Sequence, residues 1–515
     1  MKSQYKILKD KGTFVRFSIH SLVVATLSLI MAACGKDFVT IQPEGEFLSQ
    51  NYYSNQQQAY DALVGVYDVL RKNSGGFENM VTMMNAGSDD QYAGGGGSTD
   101  GAGIQNFSTH TLNDVTIPGS FWNDHYQGIF RANTLLDRLP DATMDETNRS
   151  RFSAEAKALR AIYYFNLVRM FKNVPLLLEP PTTATIYDPE QAAPEAVYIQ
   201  IETDLKEAIP NLPVNLALAT EAGRITRGAA KAMLGKVYLY QKKNSEAVAQ
   251  FTEVNGTPGS VSPLGYQLLA SFADLWKPQN KFHTESVLEV MHTDASNADW
   301  GFWGSGADEG NTINVMVGPR SYSRPAGSTA PDLPSGWSFN VFTEDFYNFI
   351  KDDPRFEATV FDLKALKTAG QADYIEGYQN TGYFLKKFLP TMADVRTGGG
   401  AQELNFKQNS YIIRLADTYL MEAEALGATG ARAQALLDAV RARVGLSTVP
   451  VSLNAIKLER RRELAGEGHR FFDLVRWGDA ATVLGSRGFV AGKSEVFPIP
   501  QRELQGTKLI QNPGY

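Results

Sequence analysis

The sequence predicts a mostly α-helical body made of paired helices, preceded by an export leader. Three observations point there. Apolar residues recur at spacings of three and four in segment after segment. Small residues occupy positions along these stripes where two helices would approach closely. At the N-terminus, Lys2, Lys6, Lys9, Lys11 and Arg16 precede a charge-free apolar run, Ser21 to Ala33, which is the layout of a secretory signal.

The apolar run is too short for a permanent span, because a helix crossing ~30 Å of hydrocarbon needs about 20 residues. It leads into Leu29-Ile30-Met31-Ala32-Ala33-Cys34-Gly35, which resembles a bacterial lipoprotein processing site. On that resemblance residues 1–33 are a lipoprotein signal peptide and Cys34, the only cysteine of the chain, is the lipidated N-terminus of the mature protein. Residues 34–54 contain Pro43 and Gly45 and show no period, so they read as a tether. With one cysteine, no disulfide can form within the chain, and stability must come from packing. A hydrophobic content of 43% supplies the material for a core. A net charge of −7, without a Lys/Arg stripe, excludes a nucleic-acid partner.

The body, residues 55–515, is expected to be a single unit. A helix begins near Asn55, with Ala59, Leu63, Val66, Val69 and Leu70 on one side. A second follows Trp122, carries Ile129, Ala132, Leu135, Leu136 and Leu139, and stops at Pro140. Ser153 to Lys172 gives the strongest stripe of the first half, ended by Pro175. Val197–Ile209, Gly228–Gln241, Leu415–Leu426 and Ala431–Val444 repeat the pattern. The small/large alternation of Ala161 with Phe165 and of Leu415 with Tyr419 fits stacking of tetratricopeptide type, although the full repeat consensus is absent and a plain bundle would show the same stripes. Val287 to Met291 reads as a buried strand.

Two loop-rich insertions, residues 86–119 and 294–340, interrupt this regularity with Gly, Ser, Asp and aromatic residues. Long irregular segments in a compact body are commonly functional. The first holds Asp89, Asp90 and Tyr92 beside Gly94 to Gly97; the second holds Trp300, Phe302, Trp303, Arg320, Tyr322 and Trp337. A pyranose offers axial C–H groups on its face and hydroxyls at its rim. Flat Trp and Tyr rings suit the face, while Asp and Arg bond the hydroxyls in pairs. Asp89, Asp90, Tyr92, Trp300, Trp303, Arg320, Tyr322 and Trp337 are therefore the expected ligand-binding residues. The alternative is that these rings turn inward and cap the helices.

Signals for catalysis are weak. No His-Glu-x-x-His occurs, and His283 and His292 flank the expected buried strand. Gly488 to Ser494 approaches a phosphate loop but has one residue too few between its glycines, which leaves a turn. Glu459 and Glu463 are expected to pair with the arginines around them rather than to serve as a glycosidase dyad. Asp89 with Asp90, or Asp299 with Asp308, are the carboxylates a calcium ion would use, but their spacing is not that of a regular calcium loop. No cofactor and no catalytic residue are expected.

Several segments together resemble the SusD/RagB nutrient-binding lipoproteins of Bacteroidetes outer membranes. They are Trp122-x3-Tyr126-x2-Ile129-x2-Ala132-Asn133, Glu155 to Ala161 continuing to Pro175-Leu176, Gly223 to Ala230, and Ile413 to Ala425. The most specific is Glu459-Arg460-Arg461-Arg462-Glu463-Leu464-x-Gly466-Glu467-Gly468-His469-Arg470-Phe471-Phe472-Asp473-Leu474-Val475-Arg476-Trp477. Phe497-Pro498-Ile499-Pro500 and Gln511 to Tyr515 close the chain as in that family. Where the family often has Asn two residues before Arg441, this chain has Ala439.

The resemblance implies four tetratricopeptide-like helix pairs forming a superhelix, a looser ligand-binding part made by the intervening loops, and no chemistry on the ligand. It implies a glycan ligand, outer-membrane anchorage through the lipid, and a SusC-like TonB-dependent transporter as partner. It also implies that the motif residues Arg160, Arg462, Glu467, Arg470 and Asp473 are scaffold. The stretch after Cys34 has fewer acidic residues than surface-exported relatives often show. Competing readings are a peptide-binding lipoprotein of a RagA/RagB-like uptake system, a helical-repeat adaptor that binds no ligand, and a surface glycosidase.

Overall fold

The computed structural model describes residues 53–180, 189–300 and 309–515. The leader, Cys34, nearly all of the tether, Phe302, Trp303 and Asp308 lie outside them. Among the described residues, nine helices have eleven residues or more: α1 Gln56–Tyr67, α2 Ser120–Arg138, α3 Glu146–Phe171, α4 Pro194–Ala208, α5 Arg227–Tyr240, α6 Asn244–Asn255, α7 Leu415–Ala425, α8 Gly430–Ala442 and α9 Leu453–Glu463. From α1 to α8 each packs on the next in chain order, and α9 returns to α7. This is the layered order of a helical-repeat superhelix.

Starts and stops follow local chemistry. Asn55, Thr226 and Ser452 cap α1, α5 and α9 by accepting from the backbone N–H three residues on. Helix α3 begins seven residues before the apolar stripe at Ser153, because Asp145 caps it there by accepting from Asn148 N. Close approach rests on missing side chains. A Cβ on Gly128 would lie 2.5 Å from the Tyr163 ring, on Gly228 2.4 Å from Tyr266, and on Gly235 2.7 Å from Phe251. The bulky ring opposite each glycine fills the space, so one substitution breaks the fit from either side.

Charge locks the helices together. Arg160 Nε and Nη2 donate to Asp204 at 2.8 and 2.7 Å, and Nη1 donates to Asn133 Oδ1 at 2.8 Å, which ties α3 to α4 and α2. The expected strand is Ser286–Val290, antiparallel to Ser410–Arg414, and that partner leads directly into α7. His283 and His292 at its ends are committed to Tyr411 and to Ser74 with Glu309, in agreement with a structural role. The insertion 86–119 is less irregular than its composition suggests. It contains a helix, Ala102–Thr109, that buries Ile104 and Phe107 and starts at Gly101, whose positive φ of 68° favours glycine.

Two smaller cores lie beside the main one. One gathers Phe272, Trp276, Phe342, Phe346 and Phe388; the other gathers Leu333, Val341, Phe361 and Phe384. These cores carry the loops that build the site.

Candidate functional site

The two insertions are zipped to each other before they reach the surface. Tyr92 N donates to Val341 O at 2.9 Å, Asn340 N to Ala93 O at 2.9 Å, and Gly95 N to Ser338 O at 2.8 Å. This short ladder sets Gly94 to Gly97 beside Trp337. Gly95 has φ of 88°, and a Cβ there would lie 2.5 Å from the Phe339 ring, so glycine is required by both conformation and space.

On this base stands an aromatic shelf. Trp300 and Trp337 have ring centroids 5.9 Å apart, with planes tilted by 36°. Trp337 is half-buried against Phe77, with centroids 6.1 Å apart, while Trp300 keeps 49% of its surface exposed. Trp300 Nε1 donates to Glu403 Oε1 at 3.1 Å, which fixes the ring edge. Beside the rings, Arg320 Nη2 donates to Asp100 Oδ2 at 3.1 Å and to Trp337 O at 3.2 Å. Gly96 N also donates to Asp100 Oδ2, at 2.7 Å. Both Arg320 and Asp100 retain about a third of their side-chain surface, so a polar rim borders the apolar faces.

Ile375 and Tyr378 extend the same neighbourhood. Ile375 N donates to Arg320 O and Tyr378 N to Gly95 O, while both side chains stay exposed. Exposed large apolar side chains are costly in water, which makes this loop cluster the candidate binding surface. Asp100, Glu403, Ile375 and Tyr378 were not singled out from the sequence. The last two lie outside the insertion that drew notice, and only the backbone bonds to Gly95 and Arg320 bring them in.

Of the residues expected at the ligand, Trp300, Trp337 and Arg320 come together, and Trp303 lies outside the described residues. The others need correction. Asp90 is buried and accepts from Arg461 Nε at 2.7 Å. Asp89 accepts from Arg470 Nε and Nη2 at 2.8 and 2.9 Å, with Arg461 Nη2 at 3.2 Å. These guanidiniums hold the Asp89 carboxyl below its usual range, whereas burial first, and then the Asp89 charge, push Asp90 up. Both carboxylates clamp the root of the first insertion to the arginine-rich motif. Tyr92 lies under the Arg487 guanidinium, 4.7 Å from ring centroid to charge. The Tyr322 hydroxyl donates to Pro331 O at 2.7 Å. Both rings are partly buried against the small core around Val341 and Phe361 rather than capping the helices.

The motif residues form a buried ionic network. Glu463 accepts from Arg414, Arg355 and Arg443, while Glu467 accepts from Arg414 and Lys387. Glu459 accepts from Arg355 and Arg441. Glu459 and Glu463 do pair with arginines, but with Arg355, Arg414, Arg441 and Arg443 brought in from other segments rather than with the neighbours on their own helix that the sequence suggested, and neither is placed for glycosidase chemistry. Arg462 contributes less than its neighbours, reaching Asp353 only at 3.5 Å. Among the described residues no group of His, Cys, Asp and Glu is arranged to hold a metal.

Fold and site together describe a helical-repeat scaffold that displays a rigid aromatic shelf on irregular loops. A family model described as the SusD family matches residues 343–493, and one described as "Starch-binding associating with outer membrane" matches residues 46–239. A solved laminarin-binding SusD-like protein is 62% identical, with 90% of this chain and 100% of that chain covered, at a TM-score of 0.89. Surface glycan-binding protein A from Bacteroides thetaiotaomicron, solved in complex with laminarihexaose, is 27% identical over 89% of this chain and 100% of its own, at a TM-score of 0.78. A SusD-like protein of Bacteroides ovatus is 25% identical over 482 residues, 88% of this chain and 82% of its own. The chain belongs to the SusD family.

Proposed function

We propose that this protein is a glycan-binding lipoprotein that captures a β-glucan of the laminarin type on the Trp300–Trp337 shelf, without catalysis, and passes it to a SusC-like TonB-dependent transporter. The observation that carries the ligand class is the tilted, partly exposed tryptophan pair bordered by Arg320 and Asp100. β-Linked glucose carries its ring substituents equatorially, so both faces are lined by C–H groups and stack well on indole. Two platforms tilted by 36° suit successive sugars whose planes turn along a curved chain better than a flat ribbon. The laminarin-binding relative at 62% identity supports the same class.

Anchorage at the outer membrane is proposed to run through lipid on Cys34, with residues 34–54 setting the reach of the body. Two or more acyl chains make such an anchor stable where one is marginal. Among the described residues no helix is long and apolar enough to cross a membrane.

Isothermal titration with laminarin oligosaccharides, cellulose oligosaccharides and peptides tests the ligand class. Binding of the laminarin series that disappears in Trp300→Ala/Trp337→Ala is expected. Binding of peptides alone, or glucan binding indifferent to both tryptophans, would refute the reading. Co-purification of a TonB-dependent transporter with the lipidated protein, and its loss in Cys34→Ala, tests the delivery step.

A further inference from the structure

Deep in the main body, between α3, α5 and the Glu467–His469 turn, lies a cavity with ≈ 40 Å³ of room for the centres of water-sized spheres. It borders Asn73, Asn166, Arg169, Lys236, Glu467 and His469. Arg169 and His469 keep surface that a water-sized sphere can touch while protein surrounds them at longer range, which places that surface on the cavity rather than on bulk solvent.

The lining is rich in donors and poor in acceptors. Lys236, 5% exposed, has three ammonium protons, yet its one contact with a described acceptor is Asp417 Oδ2 at 3.5 Å. The other oxygen of Asp417 is engaged by Arg460 at 2.6 Å. Arg169 has no carboxylate partner among the described residues. Its Nη2 donates to Asn166 Oδ1 at 2.7 Å, the guanidinium also bonds the Tyr240 hydroxyl, its plane lies 3.9 Å over Phe472, and its Nε is buried without a partner. The imidazole of His469 makes no hydrogen bond with a described residue. Glu467 has spent both oxygens on Arg414 and Lys387.

Burial pushes Lys236 and Arg169 below their ordinary values and His469 down to about 4, leaving the imidazole neutral at pH 7. Lys236 keeps ammonium protons that Asp417 does not take, and Arg169 lacks a carboxylate partner among the described residues, so an acceptor carrying negative charge is favoured in the cavity. In this measure one water needs about 10–15 Å³, so the space suits a monatomic ion with one or two waters and is too tight for a hydrated phosphate.

We propose that this cavity is a binding site for a small monovalent inorganic anion of the chloride class, held by Lys236, Arg169 and His469. The ion neutralises the junction where α3, α5 and the arginine-rich motif meet, beneath the clamp that supports the glycan loops. Crystals of the purified protein grown in sodium bromide provide the test, because bromide scatters anomalously. An anomalous peak in the cavity, within hydrogen-bond reach of Lys236 Nζ, is the expected result. Water density there, with no anomalous signal while bromide is found elsewhere on the molecule, would overturn the proposal. In solution, replacing gluconate by chloride at fixed ionic strength is expected to raise Tm by about 2 °C, and Arg169→Gln is expected to abolish that shift. Equal Tm values in gluconate, chloride and bromide would count against the site, and the crystal result stands even if the variant fails to fold.

Discussion

Around Glu463, guanidinium groups from Arg355, Arg414 and Arg443 converge on one carboxylate, with no solvent contact at Glu463, Arg355 or Arg414. Around Asp100, one guanidinium and one backbone N–H meet a carboxylate that keeps 39% of its surface. The same chemical pair does different work in the two places because burial sets its strength. In the motif, charges cut off from water hold segments distant in the chain, those of Arg355, Lys387 and Arg414, onto α9 and the turn after it, and Glu285 joins through Arg414. On the shelf, charges that still see water are weak among themselves and remain available to a sugar hydroxyl. The region with the strongest sequence signature is therefore spent on internal ion pairs, and the region that reads as irregular is the one that carries the exposed aromatic surface proposed to bind glycan.

The sharpest way to break this contrast is to cut the motif. Glu463→Gln is expected to cost about 3–5 kcal/mol by leaving buried guanidiniums short of charge, read as a lowered midpoint in urea, with glycan binding lost only along with the fold. A variant that unfolds normally but binds no glucan would reverse the assignment of roles. On the shelf, Trp300→Ala is expected to weaken glucan binding roughly thirtyfold, about 2 kcal/mol, with little change in the urea midpoint. The half-exposed ring contributes far less to the core than Trp337 does.

Asp89→Asn tests the joint between the regions. Losing the charge-assisted pair with Arg470 is expected to cost about 1–3 kcal/mol of stability and to weaken glucan binding indirectly, by loosening the ladder under Gly95 and Trp337. Arg470→Gln should reproduce both effects, whereas direct ligand contact by Asp89 would leave Arg470→Gln with normal affinity. The smallest effect is expected for Glu403→Gln, which weakens the acceptor of Trp300 Nε1 and should lower affinity about twofold.

Acidity separates the regions as well. Burial holds His125 down at about 3 and His110, His283, His292 and His469 at about 4. The unfolded chain binds protons near 6.5, so stability is fully present above that pH and falls as pH drops from about 6.5 toward 4. The arginine partners depress Glu463, Glu467 and Asp473 despite burial, so their contribution is present above the ordinary carboxylate range and is lost further into acid. Calorimetry at pH 8, 6.5, 5.5 and 4.5 is expected to show Tm level between the first two and declining thereafter. A Tm that rises on acidification to 5.5 would contradict the neutral burial of these imidazoles.

Helix positions were legible in the chain because period and caps are local: Asn55 starts α1 and Leu415 opens α7. Scaffold roles for Arg160, Glu467, Arg470 and Asp473 were legible too, since charged residues inside an apolar helix pattern must find partners. The ligand shelf was only half legible. Trp300, Trp337 and Arg320 stood out as costly residues in a polar segment, but Asp89 and Asp90 look the same in sequence whether they face solvent or a guanidinium. Arg461 and Arg470 lie far along the chain from them, and no local rule foretells that encounter. The sequence by itself thus determined most of the helices, because periodicity and capping act over a few residues, and the family, because its motifs are contiguous. Only the tertiary structure decided which polar and aromatic side chains stay in water, because burial depends on what the rest of the chain brings alongside.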